Sequence, residues 1–160
     1  MTESSPRRIF VAGSTGATGR TLVRLAAARG LGDRVVPHLR PRGASTSGAA
    51  APPGAIVLDL GDEAALVAAL RGFTTVVQLI GTMRKRFAAG DTYESSDIGT
   101  TRQLCVAAVR AGVDHVVLLS SVGAGRPMGA YLQAKARAEA IVRESGLAYT
   151  IFRPSAFYGE

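Results

Sequence analysis

The segment Ile9-Phe10-Val11-Ala12-Gly13-Ser14-Thr15-Gly16-Ala17-Thr18-Gly19 decides how the rest of the chain is read. Its first four residues are apolar and read as a buried strand. Three glycines spaced three apart follow at once. Residues 20–28 then read as a helix, with Leu22, Leu25 and Ala26 on one face and Gly30 as its stop signal. A glycine motif has physical meaning in this setting, between the first strand and the first helix of an alternating pattern. Gly13 permits a tight turn off the strand. Gly16 lets backbone approach a pyrophosphate with no Cβ in the way. Gly19 lets helix and strand pack closely. The backbone of Thr15, Gly16 and Ala17 leads into a helix N-terminus whose amides and positive dipole end suit phosphate.

Outward from this loop, short apolar runs alternate with helical patterns. Residues 35–39 form a second strand, in which Pro37 lacks a ladder donor. Residues 41–54, PRGASTSGAAAPPG, have poor helix signals, so an irregular crossover is expected. Residues 56–60 read as a third strand, and residues 63–70 as a short helix with Asp62 as its N-cap. Strands at 74–80, 115–119 and 148–152 alternate with helices at 96–111 and 131–145, which end at Gly112 and Gly146. The expected fold class is α/β: a doubly wound parallel sheet of the Rossmann type, about six strands with helices on both faces. The expected domain organisation is a single NAD(P)-binding domain over residues 1–160.

Composition narrows the partners. With 47% hydrophobic and 19% charged residues, the 160-residue chain can bury a core and is not disordered by composition. No run approaches the ~20 apolar residues of a membrane span. Arg7-Arg8 precede an apolar run, but a glycine turn interrupts it where an export signal needs continuity. The lone Cys105 reads as core and excludes an internal disulfide, and neither His38 nor His115 has a partner at metal-ligand spacing. A cytoplasmic protein without a metal site or a membrane partner is expected. The net charge of +7 suits an anionic partner such as a nucleotide phosphate. Most of the 17 arginines stand singly, and only Arg84-Lys85-Arg86 forms a run. Nucleic-acid binding favours charge concentrated on one face, so it is disfavoured here.

After the second strand, Leu39-Arg40-Pro41-Arg42 offers no carboxylate where an NAD-binding unit holds the ribose 2′-hydroxyl. Arg40, with Arg42 beside it, would instead pair with a 2′-phosphate, which favours NADP over NAD. Tyr131 and Lys135 form Y-x-x-x-K, positions that share one face of a helix. Tyrosine is a poor base at neutral pH, and a neighbouring ammonium favours its phenolate. Ser120-Ser121 end the fifth strand nearby and would supply a hydroxyl for a substrate carbonyl.

The glycine spacing G-x-x-G-x-x-G resembles the extended and atypical branches of the short-chain dehydrogenase/reductase superfamily, which include the NmrA-like NAD(P)-binding proteins. The resemblance covers nearly the whole chain. It implies that Tyr131 is the acid/base, Lys135 its tuner and ribose anchor, and Ser121 the carbonyl polariser. It implies that Asp59 and Leu60 lie by the adenine, and that Gly81 and Thr82 lie against the cofactor. Phe152-Arg153-Pro154-Ser155 resembles the family's segment beside the nicotinamide. The function expected is an NADP-dependent oxidoreductase acting on a carbonyl or related group of a small molecule. The alternative is a non-catalytic NADP-binding regulatory or interaction module. Members of the superfamily are usually longer, with a C-terminal part that supplies most of the substrate pocket. The substrate is therefore left open: either the chain is a shortened product, or a second copy or a partner completes the C-terminal side.

Overall fold

Strand β1 (Ile9–Ala12) lies inside a six-stranded, wholly parallel sheet of order β3-β2-β1-β4-β5-β6. The computed structural model describes residues 7–41, 51–82, 90 and 92–156. Arg42 and the segments 83–87 and 158–160 fall outside them. The other strands are β2 (Val35–Leu39), β3 (Ile56–Val57), β4 (Thr75–Gln78), β5 (His115–Leu119) and β6 (Ala148–Phe152). The chain runs outward from β1 to β3, then returns to β4 on the other side of β1 and runs outward again. The carboxyl ends of β1 and β4 thus flank the switch point where open α/β sheets bind ligands.

Helix α1 (Ala17–Ala28) covers one face, where Ala26 packs with Val11, Val35 and Val77. Helices α2 (Glu63–Leu70), α3 (Thr100–Ala111) and α4 (Gly129–Glu144) cover the other face. There Phe10, Leu66, Leu70, Val76 and Leu104 are almost wholly buried. Each large apolar side chain so placed contributes roughly 1.5–3 kcal/mol. Cys105, Ala138 and Val142 complete this layer against Val116 and Leu118. Burial pushes the Cys105 thiol up to about 11, so it stays protonated and unreactive near neutrality. No helix among the described residues is long and apolar enough to cross a membrane.

Several boundaries differ from the sequence expectation. Helix α1 starts at Ala17, since the extended backbone of Gly16 already serves as its N-cap. Leu25 was expected on its buried face but is 42% exposed, while Ala26 is buried. Strand β3 keeps only two residues. Leu58 still bonds the Leu39 carbonyl, but Asp59 then turns the chain by accepting from the Gly61 and Asp62 amides. Strand β4 ends early because the Gln78 carboxamide, not a neighbouring strand, takes the Ile80 N–H at 2.9 Å. Pro37 is harmless, since pairing with β3 begins only at His38. A π-helical turn (Tyr93–Gly99) precedes α3, where an ordinary helix was expected from residue 96.

His38 secures the short β2–β3 edge. Its Nε2 donates to the Leu58 carbonyl at 2.9 Å, and its ring lies 5.5 Å from that of Phe10. Burial lowers its pKa, against the opposing pull of the Leu58 carbonyl bond. The unfolded chain therefore binds the proton more readily. Stability from this residue is complete above about pH 6.5 and falls as pH drops below it toward the folded-state pKa. Denaturant midpoints measured from pH 8 to 5 are expected to show this decline. His38→Gln, which keeps a donor for Leu58, is expected to flatten it; an unchanged slope would remove His38 as the cause.

Candidate functional site

The three glycines of the first loop are not equivalent. Gly13 has φ +89°, and a Cβ there would lie 2.8 Å from the Ile80 nitrogen. A Cβ on Gly19 would overlap the Gly13 carbonyl oxygen and lie 2.6 Å from the Ser14 Cα. Both positions are closed to side chains by backbone. Gly16 has φ −71°, and a Cβ there would meet only the Gly13 oxygen, at an ordinary 3.5 Å. The fold therefore requires glycine at 13 and 19 but gives no reason for it at 16. A ligand approaching the backbone does give one.

The loop is held from beneath. The Ser14 hydroxyl donates to the His38 carbonyl at 2.6 Å, and Arg20 donates to the Thr15 carbonyl at 2.9 Å. Thr15, Gly16 and Ala17 stay exposed. No side chain caps α1 and no acidic residue lies in its first turn, whereas Asp62 caps α2 through the Ala65 amide. The positive end of α1 is open to an anion.

Beside the loop, at the end of β4, a buried polar cluster forms. Gln78 donates to the Thr101 hydroxyl, which donates to the Asp97 carbonyl at 2.6 Å. The Asp97 carboxylate accepts the Thr82 amide at 3.1 Å and pairs with the Lys135 ammonium at 2.8 Å. Lys135 also donates to the Leu119 carbonyl at 3.3 Å. Its Nζ lies 5.7 Å from the centroid of the Tyr131 ring, which packs against Tyr93 at 5.9 Å. Tyr131 is 38% exposed, so its ring borders solvent at the site.

Four residues further along α4, Glu139 makes a second cluster. The Ser120 hydroxyl donates to it at 2.6 Å, and Arg153 grips both carboxylate oxygens at 2.7 and 2.5 Å. Arg143 adds a third partner at 3.0 Å. Burial alone would raise the Glu139 pKa, but the bonds from Arg153, Ser120 and Arg143 outweigh it and hold the carboxyl at about 2. Of the two serines ending β5, Ser120 is thus structural. Ser121 is half-buried, its hydroxyl weakly bonded to the Val122 carbonyl at 3.3 Å. Arg153 serves to anchor the segment after β6, where Leu119, Phe152 and Pro154 line an open apolar groove.

The structure brings Gly13, Gly81, Thr82, Tyr131 and Lys135 to one rim, while Ser121 lies two residues past the end of β5. Arg40 is exposed at the end of β2, two residues past the carbonyl that holds Ser14. Asp59 is exposed on the same side and turns the chain, while Leu60 packs into the core. Sequence reasoning missed Asp97, Gln78 and Glu139, and did not separate Ser120 from Ser121. Their signal was present: Asp97 and Glu139 are carboxylates among the core-facing positions of helices, where charge is rare unless paired.

An open parallel sheet, a glycine loop at its first strand–helix junction and a polar rim at the switch point define a Rossmann nucleotide-binding protein. The chain belongs to the NAD(P)H-binding family, whose model matches residues 13–160. Solved structures share the fold. An oxidoreductase from Lactococcus lactis superposes with a TM-score of 0.70 at 22% identity, over 96% of this chain and 71% of the other. A nucleoside-diphosphate-sugar epimerase from Staphylococcus aureus gives 0.69 at 21%, over 91% and 50%. An NADPH-dependent quinone oxidoreductase from Escherichia coli, complexed with NADPH, gives 0.68 at 23%, over 91% and 48%. The chain spans about half the length of the last two. No curated protein matches the sequence.

The glycine geometry predicts opposite responses to one added methyl group. Gly19→Ala is expected to destabilise by on the order of 3 kcal/mol or more, since only backbone surrounds it. Gly16→Ala is expected to stay within about 1 kcal/mol of the parent. Urea denaturation of both proteins checks the contrast.

Proposed function

We propose that this chain binds NADP(H) across the carboxyl ends of β1 and β4 and acts as an oxidoreductase of the atypical short-chain type on a small-molecule carbonyl or related group. The observation that carries the reading is Gly16, a glycine that the fold does not need, at an uncapped helix N-terminus. The residues fit a dinucleotide. Backbone at Thr15, Gly16 and Ala17 receives the pyrophosphate, and Gly13 and Gly19 set the turn that presents it. Arg40 takes the 2′-phosphate. Asp59 and Leu60 border the adenine, and Gly81 and Thr82 line the path toward the nicotinamide. When bound, the nicotinamide supplies or accepts the hydride.

The chain's own residues handle the proton. Tyr131 is part-exposed at the rim, and its hydroxyl donates to a substrate carbonyl oxygen during reduction. The Lys135 ammonium, near its ring, offers a donor to the ribose. Ser121 polarises the carbonyl. A second reading, a non-catalytic NADP-binding module, draws support from the Asp97 carboxylate, which offsets much of the Lys135 charge.

Tyr131→Phe separates the two readings. It is expected to lower turnover by about 100-fold or more in a carbonyl-substrate screen while NADPH binding, followed by nicotinamide fluorescence, is kept. Turnover that survives would sink the catalytic assignment. Arg40→Asp is expected to weaken NADPH by roughly 10- to 100-fold and NADH little, since a charged hydrogen bond is worth about 1.5–3 kcal/mol. Equal losses for both nucleotides would count against the 2′-phosphate contact. Gly16→Ala, still folded, is expected to bind both nucleotides poorly.

A further inference from the structure

We propose that the amino edge of the sheet, opposite the nucleotide crevice, docks duplex DNA through its phosphate backbone. Most arginines stand singly in the sequence, but the fold gathers several of them along this edge. The Arg34 carbonyl accepts the Ile9 N–H at 2.7 Å, so Arg34 and Arg8 head β2 and β1 side by side. The Arg8 carbonyl accepts the Thr74 and Thr75 N–H groups at 2.9 and 3.2 Å. Its guanidinium lies 4.3 Å from the centroid of the Phe73 ring. Arg71, two residues before Phe73, thereby joins the row at the head of β4. Neighbouring strands lie roughly 4.8 Å apart, so the three positions span about 10 Å. Arg7 adjoins Arg8 as a fourth cation.

All four of these residues are exposed, and among the described residues none pairs with a carboxylate. Elsewhere arginines are paired: Arg110 with Glu63, Arg137 with Glu94, and Arg143 and Arg153 with Glu139. Asp33 and Asp114, also at strand heads, leave the row with cations in excess. Helix ends do not account for it. Arg71 is the C-cap of α2, where a cation meets about half a negative charge, but Arg7, Arg8 and Arg34 precede strands.

The chemistry of the row selects the partner. Guanidinium forks match phosphate oxygens. A protein partner would need an apolar core to the interface, with aromatic anchors. Here Phe73 is 3% exposed beneath Arg8, and Leu31, next to Arg34, is the large apolar side chain left 40% exposed. Interfaces with DNA are instead polar and strongly positive. Single strands and RNA loops are held by bases stacked on exposed aromatic rings, and the row presents none. Arginine has donors only, so the row has no acceptor for a ribose 2′-hydroxyl. Contacts to phosphate carry no base information, so docking is independent of sequence. Strands of four and five residues put the row about 15 Å from the nucleotide crevice, and the proposal does not rest on the nucleotide reading.

Arg34→Gln with Arg71→Gln removes two cations from the row. Arg24→Gln with Arg102→Gln removes two exposed arginines elsewhere and serves as the control. Binding is followed by the fluorescence anisotropy of a labelled DNA duplex of mixed sequence, between about 50 and 200 mM salt, with folding checked by thermal melting. The edge variant is expected to lose about two from the salt slope of log Kd and to bind about tenfold or more weakly at the lower salt, while the control stays near the parent. A second duplex of different sequence is expected to bind alike, and saturating NADPH is expected to leave Kd unchanged. If the edge variant does not fold, Arg7→Gln carries the test, with a slope change of about one. Equal losses in the edge and control variants overturn the proposal, since they show attraction to the overall charge and not to this edge. Displacement of the duplex by NADPH also overturns it, because the DNA then occupies the crevice. Tighter binding to an RNA duplex of the same sequence, or to vesicles of anionic lipid, overturns the choice of DNA. The arginine comparison decides the role of the edge whether or not the parent binds NADPH.

Discussion

A side chain at residue 19 would occupy the space of the Gly13 carbonyl. Because none is there, α1 begins four residues after the loop leaves β1, pressed against the strand that feeds it. That close approach fixes the direction of α1 and aims its uncapped N-terminus along the carboxyl edge of the sheet. The Ser14 bond to the His38 carbonyl ties the same loop to β2, and Gly13 lies against the backbone that continues β4. Three neighbouring strands thus converge on one short turn. The crevice between β1 and β4 exists because backbone can meet backbone there without a Cβ between.

The opposite wall depends on charge rather than on missing atoms. Helix α4 carries two buried ionisable residues one turn apart. Lys135 reaches Asp97 and the end of β5, and Glu139 reaches Ser120 and Arg153. The first hook ties α4 to the π-helical turn after β4, and the second ties it to the segment after β6. Buried charges are costly unless paired, so these contacts add register more than net stability. They hold Tyr131, one turn before Lys135, at the rim of the crevice. These buried ion pairs therefore decide where the side chains of the rim stand.

Much of this was legible in the order of residues. Strands β1, β2, β5 and β6 and helix α2 have the bounds that apolar runs and caps predicted, since burial and local hydrogen bonding act within a few residues. Strand β3 and the start of α3 were not legible. Whether residue 59 continues a ladder or turns the chain depends on its bond to the Gly61 amide, and the π-helical turn depends on what Asp97 meets across the sheet. The sorting of Ser120 from Ser121 likewise needs Glu139, 19 residues away.

By itself the sequence determined the class of fold, the glycine loop and the family, because these rest on periodicity and on backbone freedom at single positions. Only the tertiary structure decided which glycine is spare, which serine is structural and which carboxylate meets Lys135. Those answers depend on distances between strands and helices far apart in the chain, and spacing along a sequence does not measure them.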